Sequence, residues 1–240
     1  DMVLDWSRSL TADFRFVSYS GRVGDPANAS AIELTLDGLA GKITVAGATA
    51  AAAVEFTLPR LQISHRTQQL QLNDIRLTSA GGRTPTDTVK AEFAIGALSA
   101  EDKGAVPLKL ATGLLRLEID AERSWPYLWT GRSGFDLKSL TVEAAGKGAS
   151  LTSLSSRSET KRSGERVTLS SSLDVGPSTI VGVKLPSLAL QFSVHHIEGK
   201  PLNELLEAVE LTAIHEPESL SDLVLARLPL LGDRKSTRLN

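Results

Sequence analysis

The chain has no cysteine at any of its 240 positions. That removes disulfides, thiolate metal sites and cysteine nucleophiles together, and leaves the redox compartment unspecified. Aromatic residues make up only 5% of the sequence, and where they crowd, at Trp125–Trp129, only Arg123 and Arg132 flank them, which does not make a stacking platform. Neither sign of charge is in excess: 26 Lys+Arg stand against 28 Asp+Glu, a net charge of -2. A nucleic-acid binder carries a clustered basic surplus, so that class is set aside. No apolar run approaches the ~18–20 residues of a membrane-spanning helix. The opening Asp1-Met2-Val3-Leu4-Asp5-Trp6 lacks the basic and apolar regions of a signal peptide. The reading is therefore of a fragment that begins inside a folded region and ends, at residues 233–240, in a polar, aperiodic, non-native tail.

What the chain does have is period-two alternation. Ile32, Leu34 and Leu36 alternate with Glu33, Thr35 and Asp37. Val54, Phe56 and Leu58 follow, then Pro59, then Leu61 and Ile63. Val89/Ala91/Phe93/Ile95 and Leu115/Leu117/Ile119 repeat the pattern with Lys90, Glu92, Arg116 and Glu118 between them. One dry side and one wet side per strand indicate antiparallel sheet rather than a doubly buried parallel one. Turns are expected at Gly81-Gly82-Arg83-Thr84-Pro85, Glu101-Asp102-Lys103-Gly104 and Arg162-Ser163-Gly164-Glu165.

The second half repeats the first. Phe56, Leu58, Leu61 and Ile63 return as Phe135, Leu137, Leu140 and Val142, an offset of about 79 residues. Phe93-Ala94-Ile95-Gly96 returns as Leu173-Asp174-Val175-Gly176. Leu108-Lys109-Leu110 aligns with Val183-Lys184-Leu185, and Leu115/Leu117/Ile119 with Leu188/Leu190/Phe192. The organisation expected is the end of a preceding β unit over 1–47, a first β-meander over 48–124 and a second over 125–200. A helical cap over 201–232 follows, before the tail at 233–240. Trp125-Pro126-Tyr127-Leu128-Trp129-Thr130-Gly131 reads as a connector packed against the sheet rather than a binding platform. In the cap, Leu202, Leu205, Leu206 and Val209 fall at helical spacing behind Pro201. A second amphipathic stretch, Leu220 to Leu228, follows Pro217.

Candidate chemistry is sparse. His195 and His196 are adjacent at the expected end of the strand Leu188–Val194, where neighbouring side chains point apart, and no third ligand stands at a recognisable spacing. His65 stands alone, and His215 suits a helix end. The serines of Ser153-Leu154-Ser155-Ser156-Arg157-Ser158 and Ser170-Ser171-Ser172 sit in no nucleophile motif; they are assigned to the wet side of the sheet. Asp120 with Glu122, and Glu218 with Asp222, are not placed as a catalytic pair. Gly38, Gly41 and Gly47 do not form a phosphate loop. The expectation is no enzyme, no catalytic, cofactor-binding or metal residues and no cofactor.

The Trp129-Thr130-Gly131-x-x-Gly134-Phe135-x-Leu137 run, the serine-rich strands around Leu151–Leu154 and the Leu188/Leu190/Phe192 strand leading to Leu202–Leu206 resemble the YdgA-like family of bacterial envelope proteins. That family is a domain of unknown function, and the likeness extends over about residues 30–210. The link His196-Ile197-Glu198-Gly199-Lys200 departs from the Gly-Asn-Leu-Asp-like link common in the family. The resemblance implies a periplasmic, β-rich protein held to the inner membrane by an anchor absent from this sequence. Its fold is expected to be mainly β: repeated antiparallel meanders forming an extended amphipathic sheet with short C-terminal helices. The function expected is a structural or interaction module without catalysis, its dry side covered by the second meander and the helices. The alternatives are a lipid- or apolar-ligand-binding groove, with Ile32, Leu34, Val54, Phe56, Leu117 and Phe192 lining it, and an envelope hydrolase. The partners expected are a lipid or an envelope protein and no nucleic acid; the oligomeric state is left open.

Overall fold

The computed structural model describes residues 2–4, 9–24, 31–47, 51–83 and 87–215. The strands lie in one antiparallel sheet. They begin with β1 (Met2–Leu4), β2 (Ser9–Arg15), β3 (Tyr19–Val23), β4 (Ile32–Asp37) and β5 (Ala40–Ala46). Three long strands follow, β6 (Ala51–His65), β7 (Gln68–Arg83) and β8 (Asp87–Asp102). Then come β9 (Leu108–Thr112), β10 (Leu115–Arg123), β11 (Trp129–Leu137), β12 (Leu140–Ala144), β13 (Lys147–Leu151) and β14 (Leu154–Ser163). The last are β15 (Arg166–Val175), β16 (Ser178–Ile180), β17 (Val183–Leu185), β18 (Leu188–Glu198) and the helix α1 (Gly199–His215).

The short strands are halves of long ones. β9 and β10 lie end to end along β8, with Leu98↔Thr112 and Ile95↔Leu115 in one unbroken register. The same holds outward through Leu115↔Leu137 with Leu140↔Thr112, and through Leu137↔Leu154 with Leu140↔Leu151. Leu154↔Val175 with Leu151↔Ser178, and Val175↔Leu188 with Ser178↔Leu185, carry it to the far edge. On the other side of β6, β4 and β5 form one such strand and β2 and β3 the next. Backbone hydrogen bonds bridge the interruptions: Lys138 N–H donates to Leu114 O (2.8 Å) and Gly176 N–H to Ser153 O (2.8 Å). The fold is a single meander of strands about 15 residues long, each roughly 50 Å from end to end, and all of them crossed by one crease.

At the crease the alternation skips a residue. The apolar positions step by three instead of two: Leu58 to Leu61, Leu72 to Ile75, Ile95 to Leu98, Leu137 to Leu140. Both members of the first three pairs pack in one cluster around the buried Leu58, Ile75 and Ile95, so the dry sides of the two walls face each other inside the fold. The sequence supplies a break at this line in strand after strand. Pro59 brings no ladder N–H. Asp74 takes φ 53°, opposite Gly96, where a Cβ would stand 2.9 Å from that of Asp74. Gly113, Gly176-Pro177 and Pro186 continue the row. The major wall comprises β2, β5, β10, β11, β14, β15 and β18 with the adjoining parts of β6–β8; the minor wall comprises β3, β4, β9, β12, β13, β16 and β17.

A second cluster closes the far end of the major wall. Leu128, Val167, Ile197 and Leu202 are buried together, with Trp125, Leu169, Val194 and Leu206 against them. The helix therefore docks through Leu202 and Leu206 on the dry side. Its start is pinned by Gly199, whose N–H donates to Glu165 O (2.8 Å), while Asn203 Oδ1 accepts the Tyr127 N–H (2.8 Å).

Several expectations need amending. Residues 125–200 do not fold over the first half; β10 and β11 pair along their whole length, so the second meander extends the same sheet. The repeat is exact in the rows of the sheet: Phe56, Phe93, Phe135 and Leu173 share one row, and Leu58, Ile95, Leu137 and Val175 the next. By that row count Val183 matches Leu110 rather than Leu108, a slip of two residues. Gly81-Gly82-Arg83 belongs to β7 rather than to a turn, and Trp129–Gly131 to β11 rather than the connector. The last strand runs past Val194 to Glu198, because a bulge opposite Val167–Leu169 takes up His195 and His196. The expected stretch Leu220–Leu228, the carboxylates Glu218 and Asp222 and the tail 233–240 lie outside the described residues.

Candidate functional site

The two sides of the sheet differ sharply. On the wet side of the major wall charges pair across strands. Arg157 Nη2 donates to both carboxylate oxygens of Asp136 (2.9 and 2.7 Å). Arg116 pairs with Glu92 (2.9 Å) and Glu118 (3.2 Å), Arg132 with Glu159 (2.8 Å), and Lys90 with Asp120 (3.3 Å). The Asp136 carboxylate raises the pKa of Arg157. Lys161, then Arg132, hold Glu159 below the usual carboxylate value. A cavity of about 580 Å³ opens among these side chains, with Arg132, Arg157, Glu159 and Gln191 in its lining, but its charges already satisfy one another.

The dry side is different. Within the strands, every large hydrophobic residue of high exposure falls on it. Leu117 is 45% exposed, Leu190 51% and Phe192 64%, with Ile43, Ile119, Leu185 and Leu188 in the same state. The crease is filled where β4, β6, β7, β8 and β10 meet, with Leu137 of β11 also buried, and α1 covers the end near Val167. Between them runs a trough whose walls carry the exposed Leu117, Ile119, Leu190 and Phe192 and the half-buried Phe135 and Leu173. A cavity of about 360 Å³ sits on its floor, lined by Leu77, Phe93, Leu117, Ile119 and Phe135 among others. The expected lining residues Ile32, Leu34, Val54, Phe56, Leu117 and Phe192 all lie on this side.

The serines divide. Ser155, Ser170 and Ser172 face the charged side as expected, whereas Ser156, Ser158 and Ser171 share rows with Phe135, Ile119 and Phe192 on the dry side. Sequence gave no warning, because β14 is polar at every position from 155 to 163 and strand periodicity cannot orient such a segment.

The residues weighed for catalysis do not gather. His65 closes β6 at the minor wall, Asp120 is paired to Lys90 on the wet side, and Glu122 is its neighbour two residues on. His195 and His196 stand on the last strand, four strands and roughly 19 Å from Asp120. His196 takes φ 59° in the bulge, the two rings lie 6.4 Å apart, and His195 Nε2 meets Ser193 Oγ at 2.8 Å. Among the described residues no three His, Asp or Glu side chains are grouped as for a metal. His215 is the last residue of α1. None of the described helices is long and apolar enough to cross a membrane.

Among known families, the model of a bacterial protein of unknown function, DUF945, matches residues 10–229. The chain matches no curated protein and no solved structure.

Proposed function

The chain belongs to the bacterial DUF945 family, which is the YdgA family of the resemblance above, and from that premise we propose that it is a cell-envelope protein that holds lipid acyl chains against the dry side of its creased sheet. The observation that carries the reading is the exposed apolar surface on both flanks of β14, with Leu117, Ile119 and Phe135 on one and Leu173, Leu190 and Phe192 on the other. Fully burying one such side chain is worth about 1.5–3 kcal/mol. The four that are about half exposed, Leu117, Ile119, Leu190 and Phe192, amount to roughly 3–6 kcal/mol on the protein side, to which each buried CH₂ of the alkyl chain adds about 0.8 kcal/mol. A flexible alkyl chain suits a surface with few aromatics, since it needs apolar contact and no stacking partner. In this reading the protein is an interaction module without catalysis, and a lipid, rather than its own second half, covers its dry side. Its setting is the periplasmic side of the inner membrane, with an anchor outside the described residues.

The test uses a neutral apolar fluorophore, N-phenyl-1-naphthylamine, with the folded chain. Saturable binding is expected, with displacement by dioctanoyl phosphatidylglycerol and with lipid retained in native mass spectra. Replacing Leu117, Leu190 and Phe192 by serine should weaken binding at least tenfold in a protein that still unfolds cooperatively. A folded protein that binds no dye and retains no lipid would sink the proposal.

A further inference from the structure

One strand breaks the apolarity of the trough. On the dry side β14 reads, from crease to lip, Leu154, Ser156, Ser158, Thr160, Arg162. Ser133 of β11 and Ser171 of β15 flank Ser158 in its row, and Ser158 Oγ lies 3.0 Å from Ser171 Oγ. The column thus grades from aliphatic through hydroxyl to cationic. At the lip, the Arg162 guanidinium stacks 4.1 Å above the Trp125 ring. Its Nε and Nη1 donate to Gly164 O (2.8 Å) and Ser124 O (3.2 Å), a fixed position with Nη2 left over. Of the six arginines in β10–β18, Arg116, Arg123, Arg132, Arg157 and Arg166 are ion-paired. Arg162 has no acidic partner among the described residues. A hydroxyl column costs apolar burial in the one face that needs it, and a preorganised, unpaired arginine ends it.

We infer that this column is the polar subsite of the trough, and that its occupant is an anionic glycerophospholipid. The acyl chains lie towards Leu154 and the crease, the ester oxygens accept from Thr160 and Ser158, and the phosphate accepts from Arg162. From Leu154 to Arg162 is about 27 Å, against about 20–22 Å for one leaflet of a bilayer with its headgroups, so one lipid fits between crease and lip. The inference rests on the acyl-chain reading, and the experiment separates the two.

Dioctanoyl phosphatidylglycerol, dioctanoylglycerol and inorganic phosphate are each titrated against dye-loaded protein. The wild-type chain should bind the phospholipid about tenfold more tightly than the phosphate-free diacylglycerol, the size of one charge-assisted hydrogen bond. Arg162→Gln should abolish that preference while dye binding stays unchanged, and Arg162→Lys should keep part of it. Ser158→Val with Thr160→Val, both suited to a strand, should weaken both diacyl lipids several-fold and leave the dye alone. A preference that survives Arg162→Gln, or displacement by inorganic phosphate as effective as by the phospholipid, would overturn the headgroup assignment alone. Absence of dye binding in the wild-type chain would remove the acyl-chain reading and this one with it.

Discussion

Leu58 and Leu61 stand three residues apart in one strand and pack in the same apolar cluster. Strict alternation would send them to opposite sides. The extra residue between them is what allows the dry side of the major wall and that of the minor wall to face each other. Because it recurs in every neighbouring strand, the register survives it.

Deleting Pro59 in this strand alone would slip Leu61 and Ile63 by one row against Leu72 and Leu70 of the unchanged β7, and carry them to the wet side of the minor wall. Two side chains losing burial should cost about 3–6 kcal/mol in urea unfolding. Pro59→Ala, which keeps the residue count, should cost below about 1 kcal/mol. Equal losses in the two variants would mean that the extra residue does not set the crease.

Asp74 holds a left-handed backbone conformation opposite Gly96. Asp74→Gly should be close to neutral. Asp74→Val should lose about 1–2 kcal/mol, since a β-branched side chain meets the carbonyl there. Thermal unfolding of the two variants decides it.

Leu58 and Phe192 share the dry side but not the burial: 6% against 64% exposed. Leu58→Ala should cost about 2–5 kcal/mol by leaving a cavity. Phe192→Ser should stay within about 0.5 kcal/mol yet weaken dye binding. If Phe192→Ser destabilised the fold like Leu58→Ala, the end of the trough would be core rather than binding surface.

Lys161 and Arg132 lower the Glu159 pKa from its ordinary 4.5. A carboxylate depressed in the folded state adds stability that is present above about pH 4.5 and lost as pH falls through the folded value. Asp102, lowered by Gln68, the Gly104 N–H and Thr67, acts in the same sense. The difference in Tm between the wild-type chain and Glu159→Gln should therefore shrink from pH 6 to pH 3, and salt should reduce it at neutral pH. A gap that widens on acidification would reverse the assignment.

Much of this architecture is written in local pattern. The two-residue period identified the strands from Ile32 to Phe192, and Leu202/Leu205/Leu206 identified the helix, because each needs only the residue's own neighbours to choose a side. Even the crease is spelled out, as Phe56-x-Leu58-x-x-Leu61-x-Ile63 and again as Phe135-x-Leu137-x-x-Leu140-x-Val142. Those eight residues read correctly as a repeat, but a step of three has no meaning until neighbouring strands are seen to take it in the same row.

The bulge at His195–His196 was not legible for a related reason: a single inserted residue is defined by the partner strand it fails to match, here Val167–Leu169. The orientation of Ser156, Ser158 and Thr160 was hidden too. A strand polar on both sides carries no hydrophobic signal, and only pairing with Phe135 and Leu173 assigns its sides.

By itself, then, the order of residues determined that this chain makes long one-sided strands, because alternation is a property of each segment alone. Whether those strands cover one another or lie side by side is a property of the assembled ladder. Only the tertiary structure decided that the second half continues the sheet, leaving Leu117, Leu190 and Phe192 open and Arg162 at the lip, because hydrogen-bonded edges and a shared crease are relations between segments far apart in the chain.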